Sequence, residues 1–322
     1  MFSTNQVQNE HLLFSNSVSE SPRRRPLRLQ YTTICAPMVR YSKLPFRMLV
    51  RKYGCDLAFT PMIVSNSFVH SAKARDNEFT TCLGDRPLIV QFAANNATDL
   101  ADAAELVAPY TDGVDLNCGC PQRWALAEHY GAYLINNAEL VKDMVLQTRN
   151  RISDQKFLIS IKIRIHYDIR KTVDLCQKAQ QAGVSFITIH GRTLEQRKEP
   201  VNVQAIKTVK DSLNIPVFGN GDVFSLEDAD KLYEQTGVNG VMSARGLLQN
   251  PALFVGYHYT PRDCVQDWLD ISLNLGTHFT SFHHHLMYML EKVMPRPERR
   301  VFNTLSSTAA VLDYLRVNYD LC

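Results

Sequence analysis

The chain has no apolar run long enough to span a bilayer, for which about 20 consecutive apolar residues are needed. Its first stretch, MFSTNQVQNEHLLFSNS, has neither the basic front nor the long apolar stretch of a secretory signal. Glu10 and Glu20 speak against a mitochondrial presequence, although Arg23, Arg24 and Arg25 form a basic cluster nearby. No Cys-x-x-Cys pair occurs, and the eight cysteines follow no repeating spacing. That argues against a disulfide scaffold and for a reducing compartment. A cytoplasmic protein is expected, with the nucleus as the alternative; it should be monomeric and free of membranes. The charge excess is only +3, so any contact with nucleic acid has to come from a local patch. There is no G-x-x-x-x-G-K-S/T loop and no G-x-G-x-x-G turn, which removes the usual nucleotide-binding loops.

What is present is a rhythm. The 322 residues, 45% apolar and 21% charged, have an ordinary globular balance and ample length for a core. Residues 1–30 are polar with a basic run, and are expected to form a flexible tail. From Tyr31, short apolar or β-branched runs alternate with segments of helical period. The runs are TTICAPM (32–38), DLAFTPM (56–62), PLIVQF (87–92), GVDLNC (113–118), FLISIKI (157–163), SFITIH (185–190), IPVFGN (215–220) and NGVMSA (239–244). Between them lie LPFRMLVRKYG, with Gly54 as a helix stop, NATDLADAAELVAPY, LVKDMVLQTRNRI, RKTVDLCQKAQQAG, VQAIKTVKDSLN and SLEDADKLYEQTG. The last opens with Ser225 and Asp228 in capping-box spacing. Continuous apolar strands alternating with amphipathic helices form a parallel sheet covered by helices. Eight such units fit a closed (β/α)8 barrel better than an open sheet, which would want a Gly-rich turn after its first strand.

The rhythm stops near Tyr257. Two helical stretches, WLDISLNLGTHFTSFHHHLMYMLEKVM and RRVFNTLSSTAAVLDYLRVNY, follow around Pro295 and Pro297. They imply a small all-helical C-terminal domain. EKVMPRPERRVFN sets Lys292, Arg296, Arg299 and Arg300 against Glu291 and Glu298. This is either a solvated helix start or a patch for phosphate backbone.

Barrel enzymes carry their chemistry where the strands end. Here the ends are Pro37-Met38, Thr60-Pro61-Met62, Gln91, Asn117 with two cysteines, Lys162 and Arg164, His190-Gly191-Arg192, Asn220-Gly221-Asp222, and Ala244-Arg245-Gly246. So many polar ends at matching places imply a polar ligand at the mouth. Loops after strands 7 and 8 often hold a phosphate. Gly221 supplies a close-approaching backbone there and Arg245 a charged fork. FMN fits this layout. Gln91 would pair with the amide edge of its ring, and Lys162 would lie at the N1/O2 edge, where reduction places negative charge.

Cys118 and Cys120 are too few for a metal site. The run His283-His284-His285 cannot face one ion from a single helix, since successive residues point about 100° apart, and no metal is expected. A C-x-C disulfide would close a strained ring. One working thiol remains, either a nucleophile that wants its thiolate or a proton donor that wants its S–H. Beside a flavin, the second role suits saturation of an activated double bond.

In order and spacing, APMVRYSKLPFR, DLNCGCP, HYGAYL, IKIR, ITIHGRT, FGNGDV and ARGLLQNPALF resemble the tRNA-dihydrouridine synthases over about residues 33–257. LNCGCPQRWA is most similar to the eukaryotic branch acting at D-loop positions 20a and 20b. The resemblance implies an FMN-dependent barrel (31–257) followed by a helical tRNA-binding domain (258–322). NADPH reduces the flavin, hydride goes to C6 of a uridine, and the cysteine of Gly-Cys-Pro, here Cys120, protonates C5. Cys118 is then a bystander. Flavin contacts carry over to Pro37, Met38, Val39, Gln91, Lys162, His190, Asn220, Gly221, Asp222, Ala244 and Arg245. The base must be drawn out of the folded tRNA. Asn117, Trp124, Tyr130, Arg164 and Arg192 are expected to meet it, and Arg296, Arg299 and Arg300 to meet tRNA elsewhere. After HGRT the chain has LEQRKEPVNVQAI in place of the Tyr/Gly/Ala-Asp-Trp pattern of many relatives, and Ala244-Arg245 replaces their Gly-Arg. Two other functions compete: a flavin barrel reducing a small molecule, and a tRNA-binding protein without turnover.

Overall fold

The structure, a computed structural model, describes residues 30–321. The tail expected over 1–30 therefore lies outside the described residues, apart from Gln30. Among the described residues nine strands occur: β1 (Thr32–Cys35), β2 (Leu57–Phe59), β3 (Ile63–Val64), β4 (Leu88–Ala93), β5 (Gly113–Cys118), β6 (Leu158–Arg164), β7 (Phe186–His190), β8 (Val217–Asn220) and β9 (Gly240–Ser243). Every pairing is parallel, and β1 pairs with both β2 and β9, which closes the sheet. β2 pairs directly with β4, and the two-residue β3 continues that line along β4. Eight staves thus make the barrel, and each falls on one of the eight apolar runs.

The helices that wrap it are α1 (Leu44–Lys52), α2 (Ser65–His70), α3 (Ala72–Glu78), α4 (Ala97–Val107), α5 (Arg123–Ala127), α6 (Ala138–Arg151), α7 (Ile169–Gln181), α8 (Val203–Asp211), α9 (Leu226–Thr236) and α10 (Arg245–Gln249). Local chemistry sets their ends. Ser225 accepts from the Asp228 amide, while the Asp228 carboxylate reaches back to the Phe224 amide, each at 3.0–3.1 Å. Such a cap is worth about 1 kcal/mol. Helices α2 and α3 are not expected from the sequence. Their segment, SNSFVHSAKARDNE, has no apolar stripe to read, and α3 buries no side chain. It forms because the Ser71 hydroxyl caps it by accepting from the Ala74 amide.

Alternation along the strands layers the barrel interior. At the amino end Ile34, Leu57, Phe59, Ile89, Phe186, Phe218 and Met242 form an apolar plug. Phe186 and Phe218 are 4.6 Å apart at their ring centres, and burying each phenyl contributes about 1.5–3 kcal/mol. Two residues further along, the inward positions turn polar: Gln91, Asp115, Asn117, Ser160, Thr188 and Asn220 are all buried. The plug holds the staves together, and the site lies above it.

Four more helices follow: α11 (Arg262–Asn274), α12 (Phe279–Met289), α13 (Arg296–Phe302) and α14 (Thr308–Tyr319). They dock on α1. Trp268, Leu269, Phe282 and Leu286 join the same apolar cluster as Phe46 and Leu49. The Tyr53 hydroxyl donates to Asp267 at 2.7 Å. The three consecutive histidines part company: His283 Nε2 lies 3.0 Å from the Phe302 carbonyl, His284 faces Tyr41, and His285 is buried between Phe46 and Trp268. Among the described residues, no group of three or more His, Cys, Asp or Glu is placed to hold a metal ion, and no helix is long and apolar enough to cross a membrane.

Candidate active site

β5 sets the centre of the site. Its alternation sends Asp115 and Asn117 into the barrel and Cys118 outward into the helix layer. There Cys118 is fully buried, and desolvation holds its thiol well above the ordinary value. The chain then turns on Asn117, whose Oδ1 accepts from the amides of Gly119 (3.0 Å) and Cys120 (2.9 Å). That turn presents Cys120 to a cavity of about 190 Å³, walled by Pro37, Val39, Met62, Gln91, Asn117, Lys162, Arg164 and His190.

The loop is held from behind as well. The Ala132 amide donates to the Cys120 carbonyl at 3.0 Å. Gly131, at φ +62°, approaches so closely that a Cβ there would lie 2.8 Å from the Cys120 Cβ. From the front, Arg164 Nε donates to the Gly119 carbonyl at 3.0 Å, and its Nη1 to the Thr193 and Gln196 carbonyls. Burial raises the Cys120 thiol above its ordinary value; a backbone hydrogen bond at Gln122 and the charge of Arg164 oppose this without reversing it. The group is an intact S–H at neutral pH.

The floor of the cavity is a hydrogen-bonded row. Gln91 Nε2 donates to Asp115 Oδ2 and Asn117 Nδ2 donates to Gln91 Oε1, both at 2.8 Å. Ser160 Oγ donates to Asp115 Oδ1 at 2.7 Å. Desolvation pushes the Asp115 carboxyl up to about 6, against the pull of these hydrogen bonds and of Lys162. Lys162 Nζ donates to Asn220 Oδ1 at 3.0 Å, and Asn220 Nδ2 to the Met242 carbonyl at 2.9 Å. Burial lowers the lysine to about 8, with Asp115 pulling the other way. Lys162 is still a cation at pH 7.

His190 joins this cavity to a smaller one of about 90 Å³, lined also by Arg192, Asn220 to Phe224, Met242 and Ala244 to Gly246. Desolvation, then the charges of Lys162, Arg164, Arg192 and Arg245, drive His190 down to about 2. It is a neutral imidazole in a strongly positive field. Gly221, at φ +123°, brings its backbone in where a Cβ would lie 2.3 Å from Val201 Cγ1. Arg245 is largely exposed, 5.4 Å above the Phe224 ring and 4.0 Å from Asp222.

The remaining expected residues fall in several places. Met38 packs on the apolar plug, and its amide donates to Ser42 Oγ. The Asp222 carboxylate accepts from Arg192 Nη2 at 2.5 and 2.6 Å, and Arg192 Nε donates to the Glu199 carbonyl, so this buried guanidinium walls the smaller cavity. Tyr130 is buried under Cys120, beside Ala93 and Ala125. Trp124 is 40% exposed, on the wall of a third cavity of about 790 Å³ with Val39, Arg40, Tyr41, Met62 and Gln122. Arg296, Arg299 and Arg300 line a fourth, of about 750 Å³, with Tyr41, His284 and Tyr288. The first and third cavities share walls at Val39 and Met62, and the third and fourth share Tyr41.

Sequence reasoning missed Asp115 and Gly131, and named Met62 only as a strand end. An acid in the middle of the run GVDLNC was a legible signal for the first. It also missed the buried pair Arg47–Asp85 (2.6 Å), whose arginine donates to the Ser42 carbonyl at 2.7 Å and so anchors the loop carrying Pro37 and Val39.

A closed parallel barrel with a half-buried thiol, a half-buried lysine and an arginine-lined pocket at its carboxyl mouth is laid out as a (β/α)8 enzyme. Among solved structures, the old yellow enzyme from Trypanosoma cruzi superposes with a TM-score of 0.51 at 10% identity, over 73% of this chain and 91% of that one, and so shares the fold. The family model for dihydrouridine synthase (Dus) matches residues 34–311. The mouse protein named tRNA-dihydrouridine(20a/20b) synthase [NAD(P)+]-like is 62% identical over 290 residues, 90% of each chain. The human protein of the same name is 61% identical over 292 residues, 91% of this chain and 92% of its own. The Schizosaccharomyces pombe tRNA-dihydrouridine(20a/20b) synthase [NAD(P)+] is 44% identical over 88% of this chain and 86% of its own. The chain belongs to the dihydrouridine synthase family and is an oxidoreductase.

Proposed function

We propose that the protein reduces uridine to 5,6-dihydrouridine in the D-loop of tRNA, at positions 20a and 20b, with FMN as cofactor and NADPH as electron donor. The observation that carries this reading is the Cys120 thiol, pushed up by burial, sharing one cavity with Lys162 and Gln91 beside a pocket lined by Arg192 and Arg245. FMN suits these residues. Gly221, at φ +123°, packs against Val201 and His190 with no space for a Cβ, which sets its backbone on the wall of the smaller pocket, and Arg245 lines the same pocket for a phosphate. Pro37, Val39, Gln91 and Lys162 would frame the ring, with Met38 behind them. When bound, FMN supplies hydride, drawn from NADPH, to C6 of the base.

Cys120 does the complementary work. Saturating the C5–C6 bond leaves an electron pair at C5, and the Cys120 S–H delivers the proton that quenches it. The loop bonds from Asn117, Arg164 and Ala132 hold Sγ in place. Asn117 and Arg164 would meet the base in this cavity, and the tRNA would run past Trp124 and Tyr41 toward Arg296, Arg299 and Arg300. Residues 258–322 act as the tRNA-binding part, where arginines beside Tyr41 and Tyr288 suit phosphate and exposed bases. The enzyme works as a cytoplasmic monomer without a metal ion.

The test is spectroscopic. The purified protein should show flavin absorption that NADPH bleaches without oxygen and that unmodified tRNA restores, with dihydrouridine appearing at 20a and 20b. A colourless protein that FMN cannot reconstitute would overturn the proposal.

A further inference from the structure

We infer that Asp115 is a positioning residue for Cys120, acting through the hydrogen-bonded row Asp115–Gln91–Asn117. The inference rests on Cys120 being the proton donor. Asp115 is 0% exposed, in the middle of β5, and does not itself line the cavity; it meets the wall only through Gln91. Its effect is one of polarity. An ionised carboxylate only accepts hydrogen bonds, and its other oxygen is already taken by Ser160 Oγ at 2.7 Å. It therefore requires the NH₂ end of Gln91 to face it, at 2.8 Å. That leaves Gln91 Oε1 facing Asn117, which must answer with its own NH₂, again at 2.8 Å. Asn117 Oδ1 is then the end that meets the loop, where it accepts from both Gly119 and Cys120.

Each amide in this row can flip by exchanging its O and N ends. With Asp115 in place neither does, because a flip of Gln91 would set its oxygen against the carboxylate. Without an obligate acceptor at 115, both amides are free to turn. A turned Asn117 would set its NH₂ against two backbone N–H groups and push the Cys120 loop away. The strand register supports the row: Gln91 lies opposite Asp115, and Asp115 opposite Ser160.

The experiment compares Asp115→Leu, Asp115→Ser and Asp115→Asn in the full-length FMN-loaded protein. Asn keeps the volume and can offer Oδ1 to Gln91 while its NH₂ faces Ser160, so it should stay within about threefold of wild type. Leu and Ser do not dictate polarity, and kcat should fall by roughly 10- to 100-fold, the scale of an ångström-sized misplacement. KM for tRNA should stay unchanged, and kcat is read in single turnover of the pre-reduced, FMN-loaded protein, so that any change in flavin reduction through Gln91 or Lys162 is kept apart. Iodoacetamide alkylation of Cys120, followed by peptide mapping, should rise several-fold in both. Ser serves if Leu does not fold. In a Cys120→Ala background Asp115→Leu should add no further loss, since residues acting through one group are not additive. Folded Leu and Ser proteins with wild-type kcat and alkylation would overturn the inference, as would a full additional loss in the Cys120→Ala background. Should Cys120→Ala itself retain turnover, the proton-donor reading fails first, and the two failures are told apart.

Discussion

The backbone of Gly131 lies directly against the side chain of Cys120: a Cβ added at 131 would sit 2.8 Å from the Cys120 Cβ and 2.7 Å from its carbonyl oxygen. Both the left-handed backbone and the missing side chain are needed there. Gly131→Ala should cost about 1–3 kcal/mol from the left-handed conformation and overpacking together. It should also displace the thiol and lower turnover more than cofactor binding. Thermal unfolding and FMN titration of the same preparation check this. A variant with wild-type melting temperature and turnover would show that the contact gives way freely.

The two neighbouring cysteines should separate cleanly. Cys120→Ala should keep its flavin and its bleaching by NADPH, and lose dihydrouridine formation by roughly 10²–10⁴-fold, the usual worth of a general acid. Cys118→Ala should leave turnover intact, because that thiol faces the helix layer. Its cost is a small cavity, measurable as a modest fall in melting temperature. Mass spectrometry of tRNA digests reads the first variant, calorimetry the second.

Lys162 carries a pH signature. Its ammonium is lowered from 10.5 to about 8 by burial, so FMN affinity should weaken as pH rises from 7 to 9. In Lys162→Met that decline should disappear. The stability sign is opposite: between about 8 and 10.5 the unfolded chain holds the proton more tightly, so this group's contribution to stability rises with pH. Burying the charge costs about 3 kcal/mol below pH 8, and cofactor-free Lys162→Met should melt higher at pH 7. Part of the gain is offset because Asp115 loses its cation. A variant less stable than wild type at pH 7, with unchanged pH dependence, would contradict the assignment.

Arg296, Arg299 and Arg300, beyond Tyr41, should act on tRNA alone. Replacing Arg296, Arg299 and Arg300 by Ala should weaken tRNA binding and reduce the slope of log affinity against log salt by roughly 0.7–0.9 for each phosphate the protein no longer neutralises. FMN content and NADPH oxidation should not move. Filter binding across a salt series measures it, and an unchanged slope would place tRNA elsewhere on the surface.

Much of this was legible in the chain. The strands were readable because parallel barrel strands are buried on both faces and leave unbroken apolar runs such as PLIVQF. The mouth was readable because Lys162, His190 and Asn220 break that pattern at matching ends. Helices α2 and α3 were not, since no apolar stripe marks them. Nor was the pairing of Arg47 with Asp85, because two charges 38 residues apart signal nothing until the fold removes water from both.

By itself the sequence determined the barrel and the family, and it singled out Cys120 as the candidate, because period, strand-end chemistry and motif order are properties of neighbours along the chain. The tertiary structure decided how the site is set. It chose which way Gln91 and Asn117 point, kept the Cys120 thiol protonated and Lys162 charged, and made His190 neutral. Those outcomes depend on desolvation and on hydrogen bonds between β4, β5, β6 and β8. They arise only when residues far apart in the chain share a space from which water is excluded.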